Sequence, residues 1–305
     1  MSLNKLQISF ILFLYLCLFS TVTLAEEHHS DTLSFKTLQV SDNIWMLQGK
    51  GGNIAILTGE DGLLMIDDDY KVMSDALKEQ IKHYGGLDKL TYIINTHWHG
   101  DHTEGNLSLG EHAMIVAHDK VRTRLLTTRE IKLFKMISKP YPEVALPHMT
   151  YMKSMKIYIN NEEIQIVHYP AGHTDGDSVI FFKHANVVHM GDHHFSGFFP
   201  FVDIEHGGNV LQMAKNVKTI LAIINDKTKV IPGHGPLSTK TDLKDFHTML
   251  IGTSEEVQKM INQGNNLKQI KAKGLSKQWD SWNDGFLSTE VWIEIVYNSL
   301  MTANK

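Results

Sequence analysis

Four potential metal ligands fall within six residues near the end of the first third of the chain. They form the pattern H-x-H-x-D-H directly after an apolar, strand-like segment at 90–94, as His97, His99, Asp101 and His102. Imidazole and carboxylate groups bind zinc and other divalent transition metals. Because a strand that ends abruptly leaves the next turn exposed at the edge of a sheet, a turn with this many ligands can bind more than one ion.

Three single residues farther along the chain have the same chemistry and the same kind of position. Each follows a predicted strand and has glycine nearby: His173, Asp192 and His234. Strand-end loops gather at one edge of a sheet, and glycine lets the backbone approach a buried ion closely. A lone histidine after a strand is usually structural. Four such loops in order, beginning with the dense one, predict a shared metal site.

Composition limits which groups can hold that metal. The 305 residues are 42% hydrophobic and 21% charged, which is typical of a soluble enzyme with a substantial core. Cys17 is the single cysteine and lies in the N-terminal apolar segment. The chain after it therefore offers no thiolate ligand, no disulfide and no thiol nucleophile. Any metal must bind to histidine, aspartate or glutamate.

The first 25 residues have the pattern of a secretory signal peptide, with Lys5, an apolar run over 8–24 and a small residue at Ala25. An uncleaved membrane anchor is the alternative. We therefore expect a periplasmic or secreted protein without a stable membrane anchor after cleavage. Loss of Lys5 leaves a formal charge of 28 − 34 = −6. With no long basic block either, nucleic acid is not an expected partner.

Two similar halves are visible in the order of predicted elements. Four strands within 33–67 precede a helix at 72–84 and further strand–helix alternation; after a poorly patterned stretch at 127–152, strands resume and lead to a helix at 209–224. This order predicts two sheets packed face to face, with helices outside. We assign 26–250 to one domain and 251–305 to a helical extension packed on it.

Between about 33 and 250 the chain resembles the metallo-β-lactamase superfamily of metallohydrolases. All five motifs of that superfamily are present: Asp67 after Leu64-Met65-Ile66, the H-x-H-x-D-H run, Gly-His-Thr at 172–174, Gly-Asp at 191–192 and Pro-Gly-His-Gly at 232–235. The resemblance implies an α/β fold, an αββα sandwich, with a two-metal site on its edge.

The resemblance also implies a role for each ligand. One zinc would bind His97, His99 and His173, and the other would bind Asp101, His102 and His234. Asp192 would bridge the two ions, and Asp67 would support the ligand loop from outside. Iron or manganese are alternatives to two zinc ions. Asp101 is either a ligand alone or also the acceptor of the nucleophile's proton.

The activity expected from such a site is hydrolysis. Two cations can lower the pKa of a shared water, so that a bridging hydroxide attacks the carbonyl of a small-molecule ester, lactone, thioester or β-lactam-like amide. A true β-lactamase and a glyoxalase II-like thioesterase are alternatives. Lactamases with a zinc-bound cysteine match poorly, and export speaks against a glutathione thioester. A non-catalytic periplasmic metal-binding protein is the alternative from another class.

A substrate wall is the remaining hypothesis. Phe198, Phe199 and Phe201 follow Asp192 closely and could form an apolar wall beside the metals, or pack in the core. The neighbouring pair at 193–194, two histidines, could donate a hydrogen bond beside the reacting carbonyl, but we interpret it as a solvated bend.

Overall fold

Fourteen strands and eight α-helices occur in residues 33–303, the part of the chain that the computed structural model describes. The strands are β1 Lys36–Gln39, β2 Ile44–Gln48, β3 Ile54–Leu57, β4 Leu63–Ile66, β5 Leu90–Ile94, β6 Met114–His118, β7 Arg129–Ile131, β8 Met136–Ser138, β9 Met149–Tyr151, β10 Ser154–Ile159, β11 Glu162–His168, β12 Ser178–Phe182, β13 Val187–His189 and β14 Lys229–Ile231. The helices are α1 Ser74–His83, α2 Gly100–Thr103, α3 Asn106–Leu109, α4 Asp119–Leu125, α5 Val210–Ile223, α6 Lys240–Asn262, α7 Leu267–Lys273 and α8 Thr289–Ala303.

The first sheet has seven strands in the order β1-β2-β3-β4-β5-β6-β9. Its first four strands form the predicted antiparallel meander, whereas β4, β5, β6 and β9 run parallel. Parallel neighbours need a crossover, and α1 provides the one between β4 and β5. Strands β3 and β4 are buried along their whole length because both faces of this sheet are covered.

The second sheet has five strands in consecutive order from β10 to β14. Side chains alternate across it: on β12, Val179 and Phe181 face the helices, while Ile180 and Phe182 face the first sheet. The layer between the sheets contains residues of both, including Ile44 and Ile231. A second apolar layer joins the first sheet to α1, and a third joins the second sheet to α5, α6 and α8. The predicted helix–sheet–sheet–helix sandwich is confirmed.

The structure adds detail to two sequence expectations. The stretch at 127–152 is not irregular, because it contains the β7–β8 hairpin, with Arg129 opposite Ser138, and β9 at the edge of the first sheet. The proposed domain boundary at 250 falls inside the continuous helix α6, whose residues on both sides of it pack into one core. The predicted signal peptide at 1–25 lies outside the described residues. Within 33–303, no helix combines the length and hydropathy that crossing a bilayer requires.

Candidate metal centre and substrate chamber

All seven predicted ligands converge at one edge of the sandwich. They lie in the loops and short helical turns that follow β5, β11, β13 and β14. They form two groups, and within each group the ligand atoms lie within 4.8 Å of one another. The inner group consists of His97, His99, His173 and Asp192; the outer group consists of Asp101, His102 and His234. The inner side chains are at most 4% exposed, whereas Asp101 and His234 are 18% and 19% exposed.

Asp192 lies between the two groups. Its Oδ2 is 3.2 Å from His173 Nε2 and 3.5 Å from His234 Nε2, and its Oδ1 is 3.1 Å from His102 Nε2. Gly233 makes this position accessible, because a Cβ there would lie 2.0 Å from Asp192 Oδ1. One carboxylate can therefore serve ligand sets on both sides.

Each inner histidine is held through the ring nitrogen that faces away from the cluster. His97 Nδ1 lies 3.0 Å from Thr96 Oγ1, and His173 Nδ1 donates to the carbonyl of Phe201 at 2.7 Å. His99 is turned the other way, with Nε2 3.1 Å from Asp203 Oδ2. Such partners fix the tautomer and direct the opposite nitrogen to a metal.

Asp67 supports both groups at once. It accepts from the backbone N–H and the hydroxyl of Thr96 at 2.7 and 2.8 Å, and from His102 Nδ1 at 2.7 Å. Because the Thr96 hydroxyl donates its proton to Asp67, its oxygen is free to accept from His97 Nδ1. Asp67 adopts φ 60°, an unusual conformation that an aspartate tolerates and that recurs at functional sites.

Charge separates the groups in the metal-free protein. Burial works against ionisation of Asp101 and Asp192, but the neighbouring histidines hold the pKa of both below the usual range. Burial also opposes protonation of His234, yet Asp192 and Asp101 raise its pKa to about 9. In the inner group, burial lowers the pKa of His173 to about 4. At neutral pH His234 of the outer group is therefore protonated, whereas His173 of the inner group is neutral.

The residues present fit a metal centre. His97 Nε2 is buried without a hydrogen-bond partner among the described residues, although an unpaired buried polar atom is costly. Imidazole nitrogens and carboxylate oxygens in two adjoining sets suit zinc, and also iron or manganese. A metal ion would satisfy the unpaired nitrogen.

A cavity of about 470 Å³ opens directly on both ligand groups. Its lining includes four of the ligands, His99, Asp101, Asp192 and His234. The other lining residues are the apolar Ile131, Phe134, Met136, Phe195, Phe201 and Phe286, together with Lys50, Tyr70, Gly100 and Ser138. Its size and mixed lining are typical of small-molecule sites. We call this cavity the substrate chamber.

The predicted phenylalanine wall is only partly in this chamber. Phe201 lines it, and its ring stacks on His99 at 5.7 Å. Phe199 instead is fully buried and stacks on Trp292 at 5.5 Å, as core packing requires. Phe198 packs against Phe286 behind the lining. The wall therefore includes Phe201 but not Phe198 or Phe199.

The pair His193 and His194 is not a solvated bend, because both residues are fully buried. His193 Nε2 lies 2.9 Å from the side-chain amide of Asn216, and His194 Nε2 lies 3.0 Å from Ser238 Oγ. Both rings are part of the support beneath the Asp192 loop.

Sequence reasoning missed several residues that surround the ligands. Thr96 and Asp203 orient ligands, and Tyr70 lines the chamber. Asp203 follows Phe201 by two residues in the sequence. A carboxylate so close to the predicted wall was the signal that could have indicated a partner for a ligand histidine. Phe134 and Phe286 belong to segments without a recognisable pattern, so only the fold brings them to the site.

Comparison with known proteins establishes the family. The model of the metallo-β-lactamase superfamily matches residues 47–235, which include every ligand described above. The chain belongs to this superfamily, and it is a hydrolase of the αββα class whose His/Asp cluster can bind metal.

Individual relatives are distant. The chain is 24% identical over 198 residues to the "Probable metallo-hydrolase" of Methanocaldococcus jannaschii, covering 63% of this chain and 91% of that protein. Among solved structures, a metallo-β-lactamase from Pontibacter korlensis matches with TM-score 0.56 and 15% identity over 71% of this chain and 99% of that one. A sec-alkylsulfatase from Pseudomonas sp. matches with TM-score 0.65 and 16% identity over 86% of this chain and 50% of that one. These structural likenesses show a shared fold.

Proposed function

We propose that this hydrolase uses two zinc ions and cleaves an ester, lactone, thioester or β-lactam-like amide of a small molecule. One observation carries the proposal: Asp192 stands between two ligand groups that both border the substrate chamber. A structural zinc site closes its coordination shell, whereas a catalytic one keeps an open position. The adjoining chamber therefore favours catalysis over a purely structural metal.

The inner group would hold one ion and the outer group the other, with Asp192 shared. When bound, such a pair of ions supplies a water of lowered pKa and polarises the substrate carbonyl. Asp192 and Asp101 suit this role because both are ionised well below neutral pH. Asp101, on the exposed side of the cluster, can also accept a proton beside the chamber.

Tyr70 supplies a further polar group in the lining of the chamber. Burial, followed by the nearby carboxylates of Asp101 and Glu104, raises the pKa of its phenol. The hydroxyl therefore stays protonated and can donate a hydrogen bond to a substrate oxygen or to the leaving group. It does so without adding charge to a site already rich in charged groups.

Two features bear on the substrate alternatives. Among the described residues that line the chamber, Lys50 is the single lysine or arginine. One basic side chain gives little support to a binding site for the glutathione part of a thioester. Position 192 is an aspartate and the chain has no cysteine beyond Cys17, which disfavours lactamases with a thiolate ligand. Esters, lactones, other thioesters and β-lactam-like amides remain the substrates we propose. We also propose export, on the pattern of residues 1–25.

Metal analysis followed by an assay panel tests this function. The purified chain should contain about two zinc ions and hydrolyse at least one class among aryl esters, lactones, thioesters and cephalosporin-type lactams. Removal of metal by a chelator should abolish the activity, and added zinc should restore it. Full activity in a preparation without bound metal would reject the proposal.

A further inference from the structure

Two exposed phenylalanines meet at the opening of the substrate chamber. Phe134 follows β7 in the hairpin and Phe286 precedes α8; the residues are 37% and 53% exposed, and their ring centroids are 6.1 Å apart. Exposed apolar side chains usually stand singly on a soluble protein. A contacting pair beside a cavity indicates a binding role.

These rings complete a continuous aromatic path over the ligands. Phe201 stacks on His99 of the inner group at 5.7 Å and contacts Phe134 at 4.9 Å. From Phe134 the path continues through Phe286 to His234 of the outer group, at 6.2 Å. We call Phe201, Phe134 and Phe286 the aromatic arch. It spans both ligand groups, so a molecule held at the ligands lies beneath aromatic faces.

The hairpin presents its apolar side chains to the chamber by strand alternation. Ile131 and Met136 are opposite each other in the pairing and both line the chamber. Ile137, the next residue, is 68% exposed and is not in the lining, since successive side chains of a strand point to opposite faces. The hairpin thus has a chamber face and a solvent face.

The other half of the arch depends on a glycine. A Cβ at Gly285 would lie 2.6 Å from the Cβ of Phe198, so the loop can seat against Phe198 only without a side chain at that position. This contact places the following residue, Phe286, over the chamber. The arch is thus positioned by packing from two segments about 150 residues apart in the sequence.

We propose that the aromatic arch selects substrates with a flat apolar acyl arm, such as an aryl ring, bound beneath Phe134 and Phe286. This proposal rests on the hydrolase function proposed above. Aromatic pairs add stabilisation beyond area burial when the rings stack or meet edge to face. The scissile carbonyl would then lie at the two ligand groups. Water adds to the acyl carbon, the acyl C–O or C–S bond breaks, and the alcohol or thiol leaves with a proton.

Matched substrates that differ only in the acyl arm test the proposal on the zinc-loaded full chain. Suitable pairs are ethyl phenylacetate with ethyl acetate, and the phenylacetyl with the acetyl thioester of N-acetylcysteamine. In the class that is hydrolysed, kcat/KM should favour the phenyl member by on the order of tenfold or more. Phe134→Ala and Phe286→Ala should each bring this ratio close to one. Ile137→Ala, on the solvent face of the same hairpin, should leave it unchanged.

Binding of 2-naphthoate, compared with acetate, gives a second measurement that needs no turnover. Calorimetric titration of the full chain, with and without zinc, should show tighter binding of 2-naphthoate, which Phe134→Ala and Phe286→Ala weaken and Ile137→Ala does not. A phenyl-to-methyl ratio near one in the wild type, or an equal loss in Ile137→Ala, would overturn the proposal. If no substrate is hydrolysed, the proposed function fails. The aromatic arch is then tested by the binding of 2-naphthoate alone, and equal binding by the wild type and by Phe134→Ala and Phe286→Ala would overturn it.

Discussion

The inner and outer ligand groups differ in burial, support and charge. Every inner histidine has a partner behind it, and the side chains are almost inaccessible. In the outer group, His102 is held by Asp67, whereas Asp101 and His234 border the chamber and are partly exposed. This difference fits the proposed function, in which the inner group holds a metal and the outer group also faces the substrate.

The strongest test removes the residue that the two groups share. Asp192→Ala should lower hydrolysis on the order of a thousandfold and reduce bound metal from about two ions towards one, because both ligand sets lose a carboxylate. Elemental analysis and kcat/KM measure these effects. Asp226→Ala, at a side chain that is 97% exposed, is the matched control. Unchanged turnover with full metal would refute the shared position of Asp192.

A substitution at Tyr70 tests whether the outer side faces the substrate. Tyr70→Phe removes one hydrogen-bond donor and should lower kcat about a hundredfold, while the metal content stays the same. Steady-state kinetics with parallel metal analysis would show it. Equal kcat in the variant and the wild type would exclude a role for the hydroxyl. A loss of metal instead would show that Tyr70 supports the ligands.

The support of the inner group is tested at Asp203. Asp203→Asn keeps the size of the side chain but removes the charge that orients His99, so inner-site metal affinity should fall by about 10–100-fold. Competition with a chelator measures that affinity. Asp242→Asn, in the capping box of α6, controls for a general effect of losing a carboxylate. The same affinity in both variants would contradict the orienting role.

The smallest expected effect is a difference between the two ligand groups in how their zinc affinity depends on pH. His234, with its pKa raised to about 9, is protonated at neutral pH in the metal-free chain, so zinc binding to the outer group must release that proton. Outer-site affinity should therefore rise with pH up to about 9. His173, with its pKa lowered to about 4, is already neutral, so its protonation gives inner-site affinity no pH dependence between 6 and 9.

Calorimetric zinc titrations in buffers of different ionisation enthalpy would count the protons released at each site. An identical pH dependence of both sites would remove the distinction between the groups.

Much of the fold was accessible from local patterns. The meander and most strands of the second sheet follow from apolar alternation and turn residues, and the helix predicted at 72–84, α1 in the structure, follows from helical periodicity; all of these act over a few neighbours. The β7–β8 hairpin was missed because its alternation is short and interrupted by lysines. The division at 250 stays a prediction, and the helix α6 runs continuously across that position.

The candidate ligands could be recognised from the sequence, since residue type, order and strand-end position are local properties. The apolar residues that surround them depend on the packing of distant segments. Phe199 and Phe201 are the same residue type two positions apart, yet one is buried against Trp292 and the other lies over His99. Phe134 and Phe286 meet only because distant segments pack together. Burial of an apolar side chain is favourable in a core and in a pocket alike, so composition cannot distinguish the two.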